Sequence, residues 1–457
     1  MEPVEPVEWV EQGGVGGARG ASGAARKLSR SSDHPVASRN MDASGPANLP
    51  FGNPFNPNFG NEPDYLAERS SKPLRRFEDA LRDFHKRKEH LRVIGPSGVG
   101  KTVLLNQYEA KAKAEQWVVG REILTQNYND DDEFAKMMRE LLKAVIGQLP
   151  RSAGRLAKGF SDCLRSLDGE VGVPKVARVG YRGRSIRERI ADDSLKMALA
   201  DTMYEAARLV VAADKRGLVL LLDEAQELTD EALLSCLFLA VHDACKRGAS
   251  VMLVLAGRPP LEKSTDLAVG GTMFSPQVLE PLEMDVAAGE TMSPAVKALV
   301  CAAEQVGTAS TRITFNVRTA EQIALEAGGH PFIIQTYGWV LWAEAEERKL
   351  PEIDDDLLEK SRRRISAELD ARFYKRVIRQ SDAEDSDLTL LASAAPLGEP
   401  FTFTQLQTES GASDGGLTRA LGRLRYENEL IRVSGRAYYF NVPGLSGHLL
   451  RAYAPAR

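Results

Sequence analysis

Between residues 90 and 282 the apolar positions fall into two alternating rhythms. Short runs that are apolar almost throughout, His90–Ile94, Val118–Leu124, Leu218–Leu222 and Ser250–Ala256, predict strands buried on both faces, and Pro276–Leu282 predicts a weaker fifth. Between them, Thr102–Trp117, Asp131–Leu149, Asp192–Ala213 and Thr229–Lys246 carry apolar residues at helical spacing. This alternation specifies an α/β fold, a parallel sheet covered by helices on both sides. Ahead of it, Leu74, Phe77, Leu81 and Phe84 repeat at helical intervals. Arg151–Arg184 is rich in glycine and basic residues and has no period, so an irregular insertion or hairpin is expected there.

The rhythm changes twice more. From Ser293 to residue 380 it is helical throughout, the pattern of a small helical lid. Beyond it come three short helices, Asp387–Ala395, Thr404–Glu409 and Asp414–Glu429, then two short strands turning at Ser434–Gly435. That order is a winged helix-turn-helix. Residues 1–52 are Gly-, Ala-, Ser- and Pro-rich with few large apolar side chains, so a disordered tail is expected, with Met41 as a second candidate start. The expected divisions are therefore a tail (1–52), an α/β core (53–290), a lid (291–380) and a winged helix (381–457).

Composition narrows the function classes. The 457 residues are 43% apolar and 27% charged, with a net charge of −5, which argues against a chain coated in nucleic acid but permits a local basic patch. The longest apolar runs are strand-length and span no bilayer, and no apolar leader follows the acidic first residues, so a cytoplasmic location without membrane association is expected. Cys163, Cys236, Cys245 and Cys301 are widely spaced, without a CxxC pair or zinc spacing, and read as core residues of a reducing compartment.

Chemistry enters at the end of the first strand. Gly95-Pro96-Ser97-Gly98-Val99-Gly100-Lys101-Thr102 fits G-x-x-x-x-G-K-[ST], with a strand before it and a helix after. Glycines let backbone N–H groups wrap a phosphate, and the helix N-terminus adds its positive dipole. In such a loop Lys101 reaches the β- and γ-phosphates and Thr102 ligates Mg²⁺. The apolar run Leu218–Leu222 ends in Asp223 and Glu224. At the C-terminal edge of a parallel sheet, Asp223 is placed to hold Mg²⁺ through water and Glu224 to activate the attacking water. No N-K-x-D guanine-reading motif is present, so ATP is the expected nucleotide. Arg258, after the next strand, has two readings: a cation that senses the γ-phosphate, or a surface arginine. In Gly328-Gly329-His330-Pro331-Phe332 the glycines end one helix and Pro331 starts another.

Taken in order, Gly95–Thr102, Leu222-Asp-Glu-Ala-Gln226, Leu255-Ala-Gly-Arg-Pro259, Gly329-His-Pro-Phe-Ile-Ile-Gln335-Thr-Tyr-Gly338 and Phe440-Asn-Val-Pro443 resemble prokaryotic AAA-type ATPases. The resemblance extends to archaeal origin-recognition-like initiators and to STAND signalling ATPases. It implies a P-loop NTPase sheet, a helical lid and a C-terminal winged helix. It also implies that His330 and Pro331 fill a lid motif that touches nucleotide, and that Phe59–Arg69 lies over the adenine, although Ala67-Glu68-Arg69 matches the usual G-R-[DE] loosely. Ring-forming relatives carry an arginine finger between the fourth and fifth strands. Residues 259–283 have no arginine, only Lys263, which favours a switch over a ring motor.

Two outputs are open. Arg419, Arg423 and Arg425 on the third helix, with Arg432 and Arg436 flanking the wing, are placed to contact double-stranded DNA. Against this, residues 387–457 hold seven arginines and six acids, a net of only +1. The resemblance to STAND proteins implies the other output, a winged helix packed on the core and a partner that is another protein or a second copy.

Overall fold

Every residue of Gly217–Asp223 and Val251–Gly257 is buried, as strands covered on both faces require. The computed structural model describes residues 52–58, 60, 62, 63, 65, 66, 72–150, 157–167, 188, 190, 193–306 and 313–453. The expected tail and Met41 lie outside these residues, Gly52 excepted. Strands β1 (His90–Ile94), β2 (Trp117–Ile123), β3 (Gly217–Asp223), β4 (Val251–Gly257) and β5 (Phe274–Val278) form one parallel sheet in the order β2-β3-β4-β1-β5. The fifth strand begins two residues earlier than its apolar pattern suggests. The register pairs Ile94 with Gly257 and Leu222 with Leu255, so the ends of β1, β3 and β4 meet at one edge.

Local chemistry sets the helix starts. Asp130 accepts from the backbone N–H groups of Asp132 and Glu133 at the start of Asp131–Gly147, and Asp230 does the same for Glu231–Lys246. Part of the expected irregular insertion is a helix, Ala157–Leu167, whose Phe160 and Leu167 enter the core. The rest of 151–184 lies outside the described residues. Cys236 and Cys245 are buried as expected, whereas Cys163 and Cys301 are half-buried, and all four are free thiols.

Among the described residues, the stretch from Pro294 to Ser381 is mainly helical and includes a two-strand parallel pair, Thr314–Phe315 with Glu352–Ile353, that helical periodicity does not reveal. Helix Asp355–Leu369 continues through a π-helical turn, Asp370–Tyr374, into helix Lys375–Ser381. The winged-helix order follows: Asp385–Ala394, Phe403–Ser410, Asp414–Tyr426, Ile431–Ser434 and Ala437–Phe440. It adds a short strand, Phe401–Thr402, that pairs with the hairpin, and a final helix, Leu445–Tyr453. The described residues belong to one compact unit. One hydrophobic cluster fills the sheet layers, and a second runs through lid and winged helix alike, from Ala295 to Leu449.

Leu220 is fully buried in β3, paired with Gly120 of β2 and Leu253 of β4. Leu220→Ala is expected to lower the unfolding free energy by about 3 kcal/mol, read from the urea midpoint, with the far-ultraviolet spectrum preserved.

Candidate functional site

The loop after β1 turns on two glycines in left-handed backbone, Gly98 (φ 75°) and Gly100 (φ 101°). A side chain on Gly98 would lie 2.9 Å from the His330 ring and 3.0 Å from both Phe332 and Phe373. The loop is therefore seated directly on the lid and on the π-helical turn. Lys101 begins the following helix and is buried; its ammonium donates to the carbonyls of Gly95 (2.8 Å) and Pro96 (3.0 Å). Burial lowers its pKa to about 8, against the opposing pull of Glu224 and Asp223. The Thr102 hydroxyl donates to Asp223 Oδ2 at 2.8 Å, and the Glu224 backbone N–H donates to Asp223 Oδ1 at 2.9 Å. Burial pushes the Asp223 carboxyl up, while these two hydrogen bonds hold it down.

The second acid, Glu224, sits in left-handed backbone at φ 52°. Its Oε2 accepts from Gln226 Nε2 at 2.8 Å, and its Oε1 lies 3.4 Å from Arg376 Nη2. Arg258 follows β4 at the same edge, with its guanidinium donating to the Gln380 carbonyl (2.9 Å) and facing Glu227 (3.4 Å). The Gln380 side chain accepts from Ser97 Oγ at 3.2 Å. His330 is buried, and its Nε2 donates to the Ser97 carbonyl at 2.9 Å. Gly98, Lys101, Thr102, Glu224, Pro331 and Arg376 share the wall of one cavity of about 630 Å³.

The N-terminal segment closes one side of that cavity. Asn53 donates to the Trp339 carbonyl, and Gln335 accepts from Asn56 N, stitching residues 53–56 to helix Pro331–Arg348. Tyr65 and Leu66 line the cavity, while Ala67, Glu68 and Arg69 lie outside the described residues.

The arrangement can hold a triphosphate and a hard cation. Among the described residues no group of three or more His, Cys, Asp or Glu forms a metal site by itself. The Thr102 hydroxyl and the buried Asp223 carboxylate are a hard-oxygen pair of the kind that suits Mg²⁺. Three residues of the site had no role that the sequence alone could give them. Gln226 stood within the run Leu222–Gln226, whereas Arg376 lies 152 positions from Glu224 and Gln380 lies 122 from Arg258, without a local signature.

The winged-helix arginines separate into two groups. Arg423 was expected on the DNA-facing surface, but its guanidinium grips Asp387 at 2.6 and 2.7 Å and braces two helices of the module. Arg419, Arg425, Arg432 and Arg436 are exposed, Arg425 over the Tyr426 ring and Arg432 over that of Tyr439.

A five-stranded parallel sheet with a lysine loop at the end of β1 and an acid pair at the end of β3 defines a P-loop NTPase. Residues 83–264 match the family described as AAA domain. No curated protein matches the sequence. Among solved structures, the Walker-type ATPase PABY2304 of Pyrococcus abyssi is similar at 13% identity and a TM-score of 0.48, over 84% of this chain and 96% of that one. The ADP form of the Aeropyrum pernix ORC2 protein gives 14% and 0.47, over 87% and 98%. The ORC1 protein of the same organism, in complex with DNA, gives 16% and 0.40, over 85% and 94%. At this distance neither ligand carries over to the present chain. Among the described residues no helix is long and apolar enough to cross a membrane.

Because Lys101 is charged below about pH 8, phosphate affinity should be level from pH 7 to 7.5. It should then weaken through pH 8, approaching about tenfold per unit beyond it, as binding takes up the missing proton. Fluorescent-nucleotide titration across pH 7–9 reads this directly, and a flat profile would contradict the assigned charge state.

Proposed function

We propose that this chain is a cytoplasmic, ATP-hydrolysing switch whose nucleotide state controls DNA binding by its winged helix. The observation that supports it is helix Lys375–Ser381, which presents Arg376 to Glu224 and Gln380 to both Arg258 and Ser97, then leads straight into the winged helix. A change at the phosphate end of the cavity therefore reaches the C-terminal module through a single helix.

In this reading Gly95–Thr102 wraps the phosphates, and Lys101 leaves the Gly95 and Pro96 carbonyls for the β- and γ-phosphate oxygens. Thr102 and Asp223 would hold Mg²⁺, which would supply positive charge to offset that of the phosphates. Glu224 takes the proton of the attacking water. Arg258 offsets charge on the transferring phosphoryl group, and His330 with Pro331 keeps the lid on the loop. Turnover is slow, because Glu224 is ion-paired with Arg376 and Arg258 is held by Gln380.

DNA is the favoured output because Arg419, Arg425, Arg432 and Arg436 stand exposed on helix and wing. A second reading, a switch acting on a protein partner or a second copy, is supported by the hydrophobic cluster that the winged helix shares with the lid. Salt separates the two. DNA binding should weaken steeply with ionic strength, and Arg419→Ala with Arg436→Ala should reduce the log–log salt slope by about 0.9 for each phosphate that is no longer neutralised. Absence of DNA binding at low salt in both ATP and ADP states would leave the partner reading, for which light scattering should then show nucleotide-dependent assembly.

For the chemistry, Glu224→Gln should keep ATP and lose turnover by about 10²-fold or more, and Lys101→Ala should lose binding. Phosphate release and equilibrium nucleotide binding check both, and undiminished turnover in Glu224→Gln would remove its role.

A further inference from the structure

We infer that Gln226 is a positioning residue of the hydrolytic site: its side-chain amide fixes the carboxylate of Glu224 against the end of β4, so that the base meets water in one orientation. The inference rests on the reading of Glu224 as the base, and it adds a residue to which the site otherwise gives no part.

Gln226 is 5% exposed, so each polar atom of its amide needs a partner. All find one. Nε2 donates to Glu224 Oε2 at 2.8 Å and to Glu227 Oε1 at 3.1 Å, and Oε1 accepts the backbone N–H of Arg258 at 2.9 Å. The amide cannot be turned over. Reversed, its oxygen would face two carboxylates and its NH₂ would face an N–H group. One side chain thus ties the acid after β3 to the first residue after β4, and Glu227 passes the link on to the Arg258 guanidinium at 3.4 Å.

The surroundings are shaped for this amide. Residues Ala225–Glu227 form a single 3₁₀ turn, with Ala225 fully buried, which directs Gln226 inward beneath Glu224. The last residue of β4 is Gly257, and a Cβ there would lie 2.6 Å from Gln226 Oε1 and 3.2 Å from Gln226 N. A glycine at 257 is what lets the amide enter. Glu224 has only one other polar side-chain contact at its carboxylate among those described, the longer one to Arg376, which belongs to the lid–winged-helix connection. The short contact comes from the turn that follows β3, which Gln226 ties to the backbone just after β4, and not from that connection. Without it a glutamate on a flexible stem would spread over several rotamers, and orientation is a large part of what a general base contributes.

The test uses the full-length chain with ATP and Mg²⁺, comparing wild type, Glu224→Gln, Gln226→Glu, Gln226→Ala and Gly257→Ala by phosphate release and equilibrium ATP binding. Gln226→Glu keeps the volume but sets an acceptor beside two carboxylates. Gly257→Ala keeps Gln226 but fills the space of its oxygen. Both should lower kcat by about tenfold or more while the Kd for ATP stays within about twofold, the pattern of an interaction used only in the transition state. In Gln226→Ala kcat should fall likewise, again with the Kd for ATP within about twofold. A merely structural role would move thermal stability and ATP affinity together, without lowering kcat alone. Wild-type kcat in the Gln226 variants, with Glu224→Gln inactive, would overturn this inference alone. Full turnover in Glu224→Gln would overturn the parent reading, and this inference with it.

Discussion

A lysine and a carboxylate are both buried at the same end of a parallel sheet, Lys101 at 7% exposure and Asp223 at 2%. Charges withdrawn from water need partners, and most of the remaining architecture supplies them. Lys101 is held by two carbonyls of its own loop, and Asp223 by the Thr102 hydroxyl and the next backbone N–H. These contacts satisfy the groups while keeping them available, since phosphate oxygens and a hard cation can take the place of the partners. The β2-β3-β4-β1-β5 order makes this possible by ending β1, β3 and β4 at one edge.

The C-terminal half supplies the next layer. The π-helical turn Asp370–Tyr374 brings Phe373 against His330 and Phe332 beside Gly98, and the same turn holds the last helix. Asp370 accepts from His448 and Arg451, and Tyr374 donates to the Pro443 carbonyl. An inserted residue in a helical rod rotates the face that follows, which is one use of such turns at functional sites. Beyond it, Arg376 and Gln380 reach the acids and Arg258, and Asn428 of the winged helix donates to the Ser381 carbonyl. Glu429, half-buried next to Asn428, has its carboxyl pushed up to about 7 by burial, with Arg258 and Lys101 pulling the other way. Lid, winged helix and phosphate site are thus parts of one electrostatic arrangement.

The features read from sequence are those with local causes. The lysine loop, the acids after β3 and the hairpin turn at Gly435 each lie within a few residues of the pattern that reveals them. Helix and strand positions followed the apolar rhythm to within a few residues, because burial on one face or two sets that rhythm. What stayed hidden depends on distant partners. Arg376 meets Glu224 across 152 residues, and nothing beside it distinguishes it from any helical arginine. Arg423 looked like a DNA contact because helical spacing gives a face but not its neighbour, and Asp387 on another helix is that neighbour. The strand Phe401–Thr402 and the pair Thr314–Phe315 with Glu352–Ile353 are too short for alternation to show.

The central claim is that helix Lys375–Ser381 carries the nucleotide state from the acid pair to the winged helix. Hydrogen exchange of its amides and of those in Asp414–Tyr426 tests this most directly, with the chain free, with ADP, and with ATP in the Glu224→Gln form. ATP, but not ADP, is expected to change protection in both segments together, and Arg376→Ala to uncouple the second from the first. Identical protection of the two segments in all three states, with nucleotide bound, would contradict it.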